Sequence, residues 1–383
     1  MSSNQQLWDA LSRVIDPELR LPLTDLGMIG RAEIGEAGLA EIEVKLTVVG
    51  CPASDKIERD VRAAAASLVG EDAVRVSLSV MTETERATLI EKLRAGKPPR
   101  TNPFDAETLT RVFLIGSGKG GVGKSTVTAN LAVAMANRNL RVGVIDADIF
   151  GFSIPGQLGL PASVRPTRVG DLMLPPVAFG VKVISMGMFV DNNQPVAWRG
   201  PMLHRAVQQF LTDVHWGDLD VLLIDLPPGT GDIAISLGQS LPTAKSVVVT
   251  TPQVAAAEVA ERSAAVGLQT GQAIAGVIEN MSWLEQPDGS RVELFGAGGG
   301  ELVAQRLTEI SGQPVELLGQ VPISVDLRIG SDTGNPLLAT EQDAQAAAGA
   351  STAAANAIEL IADKLLSVPL GLSGRKLKVS TAT

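Results

Sequence analysis

A hydroxyl and two lysines set among glycines carry the first recognisable chemistry in the chain, at Gly118-Lys119-Gly120-Gly121-Val122-Gly123-Lys124-Ser125-Thr126. Gly118 to Ser125 fits the spacing G-x-x-x-x-G-K-[ST]. In that pattern the glycines let the backbone wrap a polyphosphate and turn its N–H groups inward at a helix N-terminus. Lys124 is placed to reach the β- and γ-phosphates of ATP, and Ser125 to give its hydroxyl to Mg²⁺. Such a metal also needs a carboxylate. Asp225 follows the apolar run Val221-Leu222-Leu223-Ile224, as does an aspartate that holds Mg²⁺ directly or through water. Asp148 follows the run Val142–Ile145 and is placed to orient an attacking water and to sense the γ-phosphate. Asp146 either anchors that loop as a cap or joins the metal shell, and Asp232 reads as a helix cap.

Other candidate residues are few. Cys51, the single cysteine, stands between Gly50 and Pro52 at the start of an expected helix. A helix N-terminus stabilises a thiolate, which would make Cys51 a nucleophile or a metal ligand; the other reading is a small buried core residue. One cysteine excludes an internal disulfide and fits a reducing compartment. His204 and His215 have no cysteine or carboxylate cluster at ligand spacing and read as structural.

The elements that must position these groups follow from periodicity. An apolar strand at Val112–Ile115 leads into the glycine loop, and a helix from Lys124 to Arg138 leaves it. Further buried strands are expected at Val142–Ile145, Val221–Ile224, Ser246–Thr250, Ile274–Ile278 and Glu316–Val321. Strands alternating with helices predict an α/β fold with a doubly wound, mostly parallel sheet over residues 109–366, its ligands beyond the carboxyl ends of the strands.

Residues 1–93 predict a small α+β domain. It begins with a helix carrying Leu7, Trp8, Leu11, Val14 and Ile15, ended by Asp16-Pro17-Glu18. A short strand and the alternating strand Ile42–Val48 follow, then a helix opened by Pro52 and running to about Val69. The strand Val74–Val80 and a charged helix near Glu83–Leu93 complete it. Residues 94–108, with Pro98, Pro99 and Pro103, form an extended linker. The tail 367–383 is expected to be flexible, and its Arg375-Lys376-Leu377-Lys378 is too short and weakly amphipathic for a membrane-targeting helix.

The net charge of −10 argues against non-specific nucleic-acid binding. No apolar run approaches the roughly 18 residues of a membrane span, and the first residues lack the pattern of a signal peptide. A cytoplasmic protein without nucleic-acid or membrane partners is expected.

Lys119, directly after the first glycine, is either a solvated side chain or something more specific. With it the loop resembles that of the deviant P-loop ATPases, the group that includes MinD, ParA and the nitrogenase iron protein. That resemblance implies a homodimer in which Lys119 reaches the partner's nucleotide much as an arginine finger does. Asp16-Pro17-Glu18, Asp25 to Ile29 and Gly50-Cys51-Pro52 resemble the small domain shared by several iron–sulfur assembly factors, which implies a part for Cys51 in handling a cluster. Gly118–Thr126, Asp146–Gly151, Trp198–Met202, Leu226–Asp232 and Glu279-Asn280-Met281-Ser282 together resemble the Mrp (ApbC) family. What this implies is a cytoplasmic, dimeric, slow ATP hydrolase that carries iron–sulfur clusters to apoproteins, with Asn280 and the region of Pro322 lining the adenine pocket.

One departure stands out. The family's C-P-x-C motif would fall at Gln286-Pro287-Asp288-Gly289, where Gln286 and Gly289 replace the cysteines. Neither can replace a thiolate, and clusters are usually held by four cysteines. A dimer has only its two Cys51 side chains, so a cluster at the usual site is not expected; one bridged through Cys51, with an exogenous thiol or another protein completing its shell, stays open. Two other functions also stay open. One is a positioning ATPase of the MinD or ParA kind, against which the charge and tail argue. The other is a nucleotide-gated scaffold without its own cluster.

Overall fold

The computed structural model describes residues 3–35, 38–48, 51, 53–94, 101–105, 107–149, 151–189, 200–229, 232–253, 268, 271–286, 288–340 and 352–368. Gly50, Pro52, Phe150, Trp198, Arg199, Pro287 and the expected flexible tail from residue 369 on lie outside them. Contacts group the chain into two compact units. The first is Met1–Thr101 with Arg165–Val177 and Asp213–Gly217, and the second is Asn102–Val164, Ala178–Thr212 and Asp218–Thr383.

In the first unit, Ala40–Leu46 is the central strand, antiparallel to Ile29–Ile34 and parallel to Val74–Val80. Its alternation buries Ala40, Ile42, Val44 and Leu46 on one face. Ile57, Val61 and Ala65 of the helix Ser54–Val69 pack there at helical spacing, beside Leu7 and Leu11 of the helix Ser3–Leu11. That first helix stops sooner than its spacing predicts. Val14 and Asp16 pair their backbones with Leu23 and Leu21 instead, while Asp16 Oδ1 accepts the N–H groups of Glu18 and Leu19. The second helix begins at Ser54, two residues after Pro52.

The third helix, Glu83–Arg94, opens on a reciprocal capping box. Thr82 Oγ1 takes the Glu85 N–H, and the Glu85 carboxylate takes the Thr82 N–H at 2.8 Å. A hairpin from far along the chain, Thr167–Val169 with Leu172–Leu174, adds Val169 and Leu174 to this core, and Asp171 pairs with Arg94.

The second unit is built on parallel strands in the order Leu317–Ile323, Ala273–Glu285, Lys245–Thr250, Arg111–Ser117, Val221–Asp225, Val142–Asp146 and Val181–Ser185. The expected doubly wound, mostly parallel α/β sheet is therefore present. Val142–Asp146, Val181–Ser185 and Val221–Asp225 are buried throughout, as strands covered on both faces must be; Val142–Ile145 and Val221–Ile224 therefore read as unbroken apolar runs, whereas Lys182 interrupts Val181–Ser185, a strand that was not expected. The helix Lys124–Ala136 is buried nearly all round, and Ile358, Ile361 and Leu365 of the helix Ala353–Ser367 share its core. Phe104, in the stretch expected as linker, is buried, and the Asn102 amide donates to the Ser240 carbonyl at 2.9 Å.

Candidate nucleotide-binding site

Parallel register brings the acidic strand ends together. Asp225 stands level with Asp146 on one side and Ile115, three residues short of Gly118, on the other. The chain then turns through Gly118–Gly123 into its helix. Gly121 and Gly123 both take left-handed backbone, with φ of 79° and 76°. At Gly123 a Cβ would also collide with the Asn280 amide nitrogen.

The three groups picked out by spacing meet beneath this loop. Lys124 Nζ and Ser125 Oγ each lie 2.6 Å from Asp225 Oδ2. Lys124 is 6% exposed and Asp225 fully buried, so this is a buried ion pair in which the hydroxyl shares the carboxylate. Thr128 Oγ1 lies 2.8 Å from Asp225 Oδ1 and 2.9 Å from the Lys124 carbonyl, its one hydrogen available to either. Sequence reasoning missed Thr128, although a hydroxyl one helical turn beyond Lys124 must share its face.

Asp146 is held from several sides. Its Oδ2 accepts from Ser185 Oγ at 3.1 Å and from the Ser153 and Ile154 N–H groups at 3.1 and 3.3 Å, and its Oδ1 from the Asp148 N–H. It thus ties down the loop after its own strand and reaches the adjacent strand end. Burial above all, and then the Asp225 charge, push it up to about 7. Ser185 is the second group missed, because Lys182 breaks the apolar pattern of the strand that it ends.

Asp148 is 9% exposed, and its Oδ1 accepts the Gly151 N–H at 3.0 Å, holding its own turn. The structure therefore brings Lys124, Ser125, Asp225 and Asp146 together and holds Asp148 in the adjoining loop. Asn280 donates its amide to the Val122 carbonyl at 2.9 Å and braces the phosphate loop. The next residue, Met281, has φ of 60°, at a register shift in its strand that lets Asn280 turn toward the loop. Lys119 Nζ donates to Gln253 Oε1 at 2.7 Å. Asp232 begins the helix Asp232–Ser240, and His204 bonds Ser236 across two helices.

These groups suit a magnesium nucleotide. Hydroxyl and carboxylate oxygens converge under a loop whose glycines adopt backbone that side chains resist, and hard oxygen donors are what Mg²⁺ takes. Among the described residues no group of three or more His, Cys, Asp and Glu is arranged to hold a metal ion.

Cys51 stands just before a helix. The Ser54 N–H donates to the Cys51 carbonyl at 3.1 Å, and the backbone N–H groups of Ala53 and Ser54 near the helix start favour the thiolate. But the side chain is buried, and burial first, then the charges of Glu18 and Asp16, push the thiol up to about 11. It rests as a neutral thiol. Gln286 and Gly289 flank a tight turn in which Asp288 Oδ1 accepts the Ser290 N–H and hydroxyl, at 2.9 and 2.6 Å, and no thiol is near in sequence.

Comparison with known proteins agrees with this geometry. A family described as NUBPL iron-transfer P-loop NTPase matches residues 108–359, and one described as iron-sulfur cluster assembly protein matches residues 4–78. The iron-sulfur cluster carrier protein of Mycobacterium tuberculosis H37Rv is 51% identical over 375 residues, covering 98% of this chain and 96% of that one. Its namesake in Synechocystis is 38% identical, covering 94% and 97%. A nucleotide-binding protein from Archaeoglobus fulgidus, solved with ADP, is 35% identical and superposes with a TM-score of 0.51, covering 60% of this chain and 92% of that one. The chain belongs to the iron–sulfur cluster carrier family of P-loop NTPases.

Proposed function

We propose that this chain is a cytoplasmic ATP-driven switch that hydrolyses its nucleotide slowly as a homodimer and serves the delivery of iron–sulfur clusters to apoproteins. The observation that carries the reading is the Lys124–Asp225–Ser125 cluster, closed at 2.6 Å beneath the glycine loop. On binding Mg²⁺·ATP, Lys124 exchanges Asp225 for the β- and γ-phosphates. Ser125 and Asp225 would hold the Mg²⁺, which would neutralise charge on the phosphate. The Gly118–Thr126 backbone cradles the polyphosphate, Asn280 keeps the loop in shape, and Asp148 orients the attacking water. Lys119 reaches the partner's nucleotide.

ATP turnover across a range of protein concentrations tests this, with Lys124→Ala as blank. Turnover per chain should rise with concentration and fall steeply in Lys119→Ala. A concentration-independent rate indifferent to Lys119, or turnover no greater than the blank, would sink the reading. Among the described residues no helix is long and apolar enough to cross a membrane.

The cargo reading rests on family and on the assembly-type N-terminal region. A second reading, a switch whose cluster is held by a docked partner, is favoured by the thiol-free turn at Gln286–Ser290 and the buried Cys51. Anaerobic reconstitution with iron and sulfide separates the two. Bound iron that disappears in Cys51→Ser supports the carrier, and no bound cluster in either protein supports the partner-held alternative.

A further inference from the structure

Lys119 is not left to solvent. Its ammonium lies 2.7 Å from the side-chain oxygen of Gln253, and among the described residues it forms no ion pair. The acceptor lies three residues beyond the end of a strand. Lys245–Thr250 runs parallel to the strand that feeds the glycine loop, with Val249 level with Ser117, so the two strand ends release Gln253 and Lys119 side by side. Beyond Thr250 the chain is wedged, since a Cβ on Gly299 would lie 2.5 Å from the Pro252 oxygen and 2.6 Å from that of Thr251. Pro252 stiffens the same step. On the donor side, Ser117 Oγ bonds the Lys119 carbonyl at 3.1 Å, which leaves the long side chain as the moving part.

We propose that Gln253 is a positioning residue that docks Lys119 on its own protomer in the resting state, so that Lys119 must leave this dock to act on the partner's nucleotide. This rests on the reading of Lys119 as a group acting in trans. The choice of an amide is informative. A neutral oxygen at an exposed position holds an ammonium by a hydrogen bond alone, firmly enough to orient it and weakly enough to lose it to a polyphosphate. A carboxylate in the same place would compete with the phosphates in kind.

Two substitutions should therefore move turnover in opposite directions, which a merely structural position would not do. Gln253→Ala frees Lys119 and should raise turnover per chain about 5-fold below the concentration that saturates dimer formation, as expected for one hydrogen bond of about 1 kcal/mol. Gln253→Glu replaces the dock with an ion pair and should lower turnover by a similar factor, the loss shrinking as salt is raised. Both effects should vanish in a Lys119→Ala background, and nucleotide affinity of the separate chain, read with a fluorescent ATP analogue, should stay at the wild-type value. Effects that persist without Lys119, or the same direction of change in both variants, would overturn the dock, as would unchanged turnover in both. If Lys119→Ala itself turns over at the wild-type rate, the trans reading fails first and the dock with it.

Discussion

Lys124→Ala should weaken the protein even where no nucleotide is present. The ammonium it removes is the cation paired with Asp225, which is fully buried and level with a second buried carboxylate, Asp146. Breaking one side of a buried pair costs about 3–5 kcal/mol, because the charge left behind is uncompensated. Asp225 keeps the hydroxyls of Ser125 and Thr128, which argues for the lower end. For a unit of this size, about 2–4 °C of melting temperature accompany each kcal/mol, so a cost of about 3 kcal/mol predicts a drop of about 6–12 °C. Thermal unfolding at pH 7.5 without nucleotide, for wild type, Lys124→Ala, Asp225→Asn and the double variant, measures this. The double variant removes cation and anion together and should recover most of the loss. Co-melting of Lys124→Ala with wild type at pH 7.5, or a double variant no more stable than Lys124→Ala, would refute the argument.

Three further outcomes are expected. Gly123→Ala forces a side chain into left-handed backbone at about 1–2 kcal/mol and drives its Cβ onto Asn280, so nucleotide binding measured by fluorescence titration should weaken at least 5-fold; adding Asn280→Ala should restore only the part due to the clash. Cys51, raised from 9.0 to about 11, holds its proton more tightly folded than unfolded. The stability it contributes is complete below about pH 9 and is lost as pH rises through about 11, and alkylation by iodoacetamide at pH 8 should run at least about 100-fold slower in the native protein than in urea. For Asp146, raised from 3.8 to about 7, the window lies lower. Its contribution is full below about pH 4 and is lost as pH rises through about 7, so Asp146→Asn should flatten the change in urea midpoint across that interval.

The parts of this molecule that were legible in sequence are those where one local pattern answers one physical demand. Unbroken apolar runs ending in Asp146 and Asp225 announced strands buried on both faces with acidic carboxyl ends, and the glycines before Lys124 announced a backbone loop leading into a helix. What escaped depends on residues brought together from afar. The pairing of Ser185 with Asp146 follows from strand order, which periodicity does not encode. The hairpin Thr167–Leu174 is too short to reveal that Val169 and Leu174 join a core begun at Leu7. Cys51 shows the same limit from the other side. Its neighbours Gly50 and Pro52 suggested a helix start and a ready thiolate, while ionisation is opposed first by burial in a core drawn from the whole unit and then by Glu18 and Asp16, more than thirty residues earlier.

The two loop lysines are held at rest by different chemistry, and the difference matches the tasks proposed for them. Lys124 sits on a buried carboxylate, so the attraction it gains from phosphate is largely offset by the ion pair it gives up, and nucleotide affinity is the remainder. That arrangement keeps the loop closed and its charges balanced whether or not ligand is bound. Lys119 sits on an exposed amide, which gives up a cation at far smaller cost. A lysine that must serve its own nucleotide can afford a strong resting partner, because ligand and lysine stay in one protomer. A lysine that must cross to another protomer cannot, since the same energy would be subtracted from an association that forms anew in each cycle. Exchanging the two chemistries, with a carboxylate at Gln253, should therefore cost the dimer-dependent rate while leaving nucleotide binding to the single chain intact.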